Sequence, residues 1–248
     1  MKRYIAYFDY LGYKDFIFNN DSTHLKRRVE HILRDIERAL GQGQFQEPQN
    51  GIILADLSRS TINCLNVSDT VIFWTQDDSV QSLEELLSVA NQFNWEQMRF
   101  NMPARGVIYF DDFEMISGQQ RNPGGALYSA NIIYGKGLAL AHMKGETQSW
   151  AGCVIDQTVI EHIQTKVTVA TFLAPHAKLY RVPYKKPAAG QQDEYVLTIV
   201  KGTLNEQAFK SYHDNIVATF KADNKSIEDP RVKTILDNTI KFLESFKA

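Results

Sequence analysis

The sequence predicts an α+β fold with a central, mostly antiparallel sheet, flanking helices and a C-terminal extension. Three patterns predict it. Tyr4 to Phe8 is an aromatic and β-branched run that reads as a buried strand. Asn63 to Val67 and Thr70 to Trp74 read as two strands, joined by Ser68-Asp69 with no spare residue, which makes a tight hairpin. Leu25, Val29, Ile32, Leu33, Ile36 and Leu40 recur at helical spacing, with Arg27, Arg28, Arg34 and Glu37 on the other side.

Taken in order, residues 1–9 form the first strand. Tyr10 to Phe18 begins a short helix that Asn19-Asn20-Asp21 breaks, and the amphipathic helix follows. Its arginines are read as a solvated face. Gly41 to Asn50 is Gln/Gly-rich and reads as a loop, and Ile52 to Leu57 as a short strand or turn. After the hairpin, Ser82-Leu83-Glu84-Glu85 gives a capping-box pattern for a helix reaching about Arg99. Pro103 opens a strand over Ala104 to Tyr109, Asp111-Asp112 turns it, and Phe113 to Ile116 returns. Gly118 to Gly125 is expected to be a loop carrying Arg121. Tyr128 to Lys144 is expected to be a helix despite Gly135 and Gly137, whose close approach to phosphate or to another backbone would explain them. Further strands are expected at Val167–Leu173, Leu179–Val182 and Tyr195–Val200, with a loop over Pro183–Asp193. Helices follow at Leu204–Phe220 and Pro230–Phe246.

Apolar residues make up 44% of the chain and charged residues 23%, enough for an ordinary soluble core. The net charge of −2, without a basic tail, implies neither a nucleic-acid partner nor an anionic membrane surface. No apolar run is long enough to span a bilayer, and the N-terminus lacks a signal-peptide pattern. Cys64 and Cys153 lie in apolar strand-like contexts, as buried free thiols would, so the expectation is a cytoplasmic protein. No Cys/His cluster suggests zinc.

Asp9 stands where the first strand ends, and Leu11-Gly12-Tyr13 then turns the chain toward a helix. A carboxylate at the end of a core strand is costly unless it is paired or coordinated. It could equally cap the helix, and Asp69 could be an ordinary turn residue. Two strand-end carboxylates suit one shared site if the first strand lies beside the hairpin. Such a pair is the minimum for holding one or two Mg²⁺ or Mn²⁺ ions against a triphosphate.

YIAYFDYLGYKDFI (4–17) and NVSDTVIFW (66–74) resemble the metal-binding motifs of the class III nucleotidyl cyclases. PARGVIYFDDFEM (103–115) resembles their next hairpin, IIYGKGLALAHMKGE (132–146) their following helix, and GCVID (152–156) the strand after it. The resemblance covers roughly residues 3–160, and its nearest form is the bacterial pyrimidine cyclases of Pycsar anti-phage defence. It implies a ferredoxin-like cyclase catalytic domain over residues 1–248, with 161–248 completing the sheet and adding helices. It also implies two Mn²⁺ or Mg²⁺ ions held by Asp9, Asp69 and the Tyr10 carbonyl. Triphosphate would meet the turn at Gly12 and Tyr13, beside Ser68. Purine-reading positions of the family fall on Leu65 and Ile132, neither of which can hydrogen-bond a base. Asn63 and Asn131 are the candidate base readers. The family's transition-state Asn and Arg fall on Ala139 and Met143, leaving Arg105, Lys136, Lys144, His142 and Arg121 as nearby basic groups. Of these, Lys144 and Arg105 are the candidate catalytic cations and Lys136 a candidate substrate contact.

The resemblance thus implies a homodimer with sites at its interface, converting UTP, or CTP, to a 3′,5′-cyclic monophosphate and diphosphate. The product would be a second messenger read by a separate effector in antiviral defence, with no nucleic-acid or membrane partner. A non-catalytic nucleotide sensor of the same fold, or an adenylate cyclase with an atypical base pocket, stands as the alternative.

Overall fold

The computed structural model describes residues 1–48, 53–186 and 193–248. Parts of the expected 41–50 and 183–193 loops, and Ile52, lie outside the described residues. In chain order the elements are β1 (Lys2–Tyr10), α1 (Tyr13–Phe18), α2 (Ser22–Leu40), β2 (Asn63–Val67), β3 (Thr70–Trp74) and α3 (Val80–Phe100). They continue with β4 (Ala104–Asp112), β5 (Glu114–Arg121), β6 (Leu127–Tyr134), α4 (Lys136–Thr147), β7 (Gly152–Ile155) and α5 (Gln157–Ile163). The chain closes with α6 (Val169–Leu173), β8 (Ala177–Tyr180), β9 (Glu194–Leu197), α7 (Glu206–Lys221) and α8 (Pro230–Glu244).

A seven-stranded sheet has the order β2-β3-β1-β4-β7-β9-β8. Every pairing in it is antiparallel except β4 with β7. The aromatic run makes β1 its inner strand, with Tyr4, Ile5, Ala6, Tyr7 and Phe8 all buried. Successive side chains of a strand face opposite ways. Tyr4, Ala6, Phe8 and Tyr10 therefore pack with α2 and α3 through Ile32, Ile36, Leu86 and Phe93. Ile5 and Tyr7 pack on the other face with Ile72, Trp74, Val107 and Ala141 of α4. Asp9 has the parity of Tyr7, which directs it to the α4 side.

Four sequence expectations are corrected. Residues 118–121 are strand, not loop: β5 runs to Arg121 and pairs with β6 from Glu114↔Tyr134 to Arg121↔Leu127. The 103–115 segment is not a hairpin, because β4 pairs with β1 and β7 while β5 belongs to the separate two-stranded β5–β6 arm. Residues 128–134 are strand rather than helix, and α4 starts only at Lys136. The reason is Gly135, at φ 119, where a Cβ would lie 2.3 Å from the Asp112 carbonyl oxygen. The neighbour that demands this glycine is thus another backbone. Residues 169–173 are a short helix, α6, that buries Leu173.

The C-terminal segment completes the sheet through β8 and β9. Helices α7 and α8 form a second core with Met98, Trp150, Val154 and Val196. Their connection carries Lys225, a buried lysine whose Nζ has no hydrogen-bond partner. Burial lowers its pKa to about 8, and Arg28 adds to the effect against the opposing pull of Asp223 and Asp15. Between about 8 and the ordinary lysine value of 10.5 the unfolded chain binds more protons than the folded one, so stability rises with pH in that window. Lys225→Met is expected to raise the melting temperature at pH 7. Its advantage over the wild type should shrink as pH climbs through that window, as measured by thermal melts of both proteins.

Candidate active site

Register creates the site. Asp9 on β1 lies opposite Thr70 of β3 on one side and Arg105 of β4 on the other. Val67 pairs with Thr70, so Ser68 and Asp69 alone make the hairpin turn, with Ser68 at φ 57. The Tyr10 N–H donates to the Asp69 carbonyl at 2.9 Å, tying the hairpin tip to the end of β1. Asp9 and Asp69 are thus brought to one corner although 60 positions separate them in sequence.

Beyond Tyr10 the chain turns at Gly12, φ 77, and α1 begins. A side chain there would be strained, and its Cβ would lie 2.9 Å from Lys225 Cδ. A cavity of about 860 Å³ opens over this corner, lined by Asp9, Tyr10, Gly12, Tyr13, Asp69 and Arg105. Its remaining walls include Tyr7, Lys14, Asp15, Thr70 and, from α4, Leu138, Ala139, His142 and Glu146.

Arg105 is fixed by acids. Its Nε and Nη2 donate to Asp9 Oδ2 at 3.0 and 2.8 Å, and Nη2 also pairs with Glu146. Burial raises the Asp9 pKa more than this guanidinium lowers it, and Asp69 and Glu146 push the same way. Tyr7 shares a hydrogen bond of 2.9 Å with His142 Nδ1, and burial, then the Asp9 charge, raises its pKa to about 12.

Asp9, Asp15, Asp69 and Glu146 outnumber Lys14 and Arg105 along the wall. A polyphosphate would meet net negative charge there unless cations accompanied it. Asp9 already holds a cation, the Arg105 guanidinium, at its carboxylate. Two carboxylates and the Tyr10 carbonyl are the hard oxygen donors that Mg²⁺ or Mn²⁺ prefers, with water and phosphate completing the shell. The residues therefore fit such ions, although no cluster of three or more His, Cys, Asp or Glu side chains suited to a metal occurs among the described residues.

The structure does not bring every candidate to this cavity. Asn63, Leu65, Ser68, Asn131, Lys136 and Lys144 do not line it. Asn63 Nδ2 donates to the Trp74 carbonyl at 3.4 Å, and Leu65 is half-buried opposite Ile72. Asn131 accepts from Ser117 Oγ at 2.7 Å on the exposed arm, where Ile132 also points to solvent. Met143 is exposed and Ala139 faces the cavity. Lys144 turns away. Its ammonium donates to Asp156 Oδ2 at 2.7 Å and Glu194 Oε1 at 2.5 Å, and Tyr184 donates to the other Glu194 oxygen. Burial opposes the Lys144 charge, but the two carboxylates outweigh it and raise its pKa.

Among the polar lining residues, Tyr7, Lys14, Asp15, Thr70 and Glu146 escaped the sequence reading as site groups. The helical spacing of Leu138, His142 and Glu146 was the available signal. It was obscured by starting the helix at Tyr128. Lys144→Met should leave Asp156 and Glu194 without their cation and destabilise the fold by about 2–4 kcal/mol. Urea unfolding measures this; an unchanged midpoint would contradict the network.

No family model matches the sequence, and no curated protein matches it. Solved structures do. The guanylyl cyclase domain of the RhoGC fusion protein from the aquatic fungus Blastocladiella emersonii superposes with a TM-score of 0.50 at 9% identity, covering 79% of this chain and 93% of that one. The catalytic core of a rhodopsin-guanylyl cyclase with converted specificity, in complex with ATPalphaS, gives 0.47 at 8% identity over 79% and 95%. The adenylyl cyclase CyaB from P. aeruginosa gives 0.41 at 12% over 83% and 98%. The likeness in fold rests on the first. With a mostly antiparallel sheet flanked by helices and the β1 end beside the β2–β3 turn, the chain has the class III nucleotidyl cyclase fold.

Proposed function

We propose that this protein is a metal-dependent nucleotidyl cyclase that acts on a pyrimidine nucleoside triphosphate. One observation carries the reading: Asp9 and Asp69 converge beside the Gly12 turn, in a cavity whose acidic wall needs cations to admit a triphosphate. Asp9, Asp69 and the Tyr10 carbonyl would hold Mg²⁺ or Mn²⁺. Such ions would lower the pKa of the ribose 3′-hydroxyl and neutralise the departing diphosphate.

The chain's own residues do the rest. Gly12 and Tyr13 border the space for the phosphates. Arg105, held between Asp9 and Glu146, is the lining cation beside the candidate metal ligand Asp9 and is assigned to the charge that develops on the phosphate. Lys144, bound to Asp156 and Glu194, is assigned to architecture. Tyr7 and His142, joined by a hydrogen bond, line the same cavity as the carboxylates.

In the resemblance the purine-reading positions fall on Leu65 and Ile132, and their lack of polar side chains supports a pyrimidine rather than a purine substrate at a site that a partner subunit completes. UTP is the preferred candidate and CTP the second. Asn63 and Asn131 lie outside the cavity within one chain, so base reading is assigned to a homodimer whose partner closes the site. The fungal cyclase domain is described as dimeric. Ile116, Leu127, Tyr128, Ile132 and Tyr134 expose apolar surface along the β5–β6 arm for that contact. The cyclic product would serve as a messenger to a separate effector in antiviral defence.

Purified protein with Mn²⁺ and each triphosphate in turn is expected to release diphosphate from UTP, with CTP next. Conversion of ATP or GTP alone would remove the pyrimidine assignment. Asp69→Ala should abolish turnover, and activity persisting in it would remove the metal assignment. Binding without diphosphate release would leave a nucleotide sensor. Ile132→Lys should shift the protein toward monomer in sedimentation velocity and lower activity with it.

A further inference from the structure

Helix α2 carries His24, Arg27, Arg28 and His31 at helical spacing, so all four share one face. That face closes a second cavity, of about 460 Å³, with Arg99, Phe100 and Asn101 at the end of α3 and Ala218, Thr219, Ala222 and Asp223 at the end of α7. Asp223 is the acid on its wall, and it is already engaged. Arg28 Nε and Nη2 lie 2.9 and 3.0 Å from its two oxygens, and His24 Nε2 lies 2.9 Å from Oδ1. Arg28 Nη2 also donates to the Asn101 carbonyl.

Arg27 and Arg99 are then left without a carboxylate within ion-pairing distance among the described residues. Arg99 is the more telling. Its guanidinium sits 4.8 Å from the centres of the Trp95 and Phe100 rings and 4.2 Å from that of Tyr212. Rings hold its plane in place while its N–H edge keeps its donors. Its Nε is buried with no hydrogen-bond partner. A fixed guanidinium with idle donors inside a concave wall is the preorganised half of an anion contact. The His31 ring reports the same field. Burial, then Arg34, Arg28 and Arg27, lower its pKa against the opposing Asp35. Asp35 itself is occupied by Gln97 and Asn101, which donate to its Oδ2 at 3.2 and 2.7 Å.

From this geometry we infer that the α2–α3–α7 cavity is a binding site for the phosphate group of a small phosphorylated molecule, with Arg27 and Arg99 as its principal ligands and His31 beside them. Two guanidiniums without a carboxylate partner suit a dianion of tetrahedral oxygens, and Arg27 has only the His24 ring, 3.4 Å from its Nη2, to give up. The volume leaves room for a small organic group attached to that phosphate, with Phe100 as the apolar surface it would meet. This site shares no lining residue with the cavity over Asp9 and Asp69, and it does not depend on the cyclase reading.

Isothermal titration of the full chain with inorganic phosphate, in metal-free buffer at constant ionic strength, tests it. One phosphate should bind per chain in the wild type and equally in Asp69→Asn. Arg27→Gln and Arg99→Gln should each weaken it by about tenfold, the loss expected for one charge-assisted contact. Arg27 is exposed, so its variant keeps the test valid should the ring-packed Arg99 variant fail to fold. Glucose 6-phosphate should compete with phosphate, whereas glucose should not. The inference is overturned by absence of saturable binding over the millimolar range, by binding that survives Arg27→Gln unchanged, or by binding strengthened in Asp69→Asn, which would place the ion beside the acidic wall of the other cavity.

Discussion

The structure depends on an acid kept at the end of a buried strand. Five consecutive residues of β1 are nearly inaccessible to solvent, and the next residue, Asp9, on the strand face of Tyr7, must remain stable. Its neighbours across the sheet make this possible. Arg105 stands opposite on β4, and the hairpin tip leaves open space on the other side. Burial still opposes ionisation there. A carboxylate so placed gains from any cation brought to it, which gives the corner a bias toward cations.

That bias is amplified by the company Asp9 keeps. Asp69, Asp15 and Glu146 come from three different elements, and the Arg105 guanidinium answers only part of their charge. The glycines serve the same corner by geometry. Gly12 lets the chain leave β1 in a left-handed turn, and Gly135 lets α4 start against the Asp112 carbonyl. Helix α4 then lies close enough for His142 and Glu146 to reach the site.

The C-terminal segment is joined to this corner rather than appended to it. Lys144 of α4 is bound to Glu194 of β9, and the stem of Lys225 lies under Gly12. The adjoining Asp223 and Asn224 adopt positive φ and are held by Asn19, Asn20, His24 and Arg28. One short connection therefore touches both the glycine turn and the cationic cavity of α2.

Much of the core was legible because it is written in local patterns. The apolar run of β1, the hairpin with no spare residue around Ser68-Asp69, and the helical periodicity of α2 and α3 depend on near neighbours in sequence. The β5–β6 arm was not, since a strand pair exposed on the side of a molecule shows little alternation, and Gly118 and Gly125 mimic a loop. At the site, the positions of Asp9 and Asp69 at strand ends were readable. The destinations of the cations were not. Arg105 reaches Asp9 through cross-strand register, while Lys144 is drawn to acids 12 and 50 residues further along the chain. Residue type and spacing determined which groups stood at the ends of elements. Which of them met was decided by strand order and helix docking, because charge pairing acts over a few ångströms in space and is blind to distance along the chain.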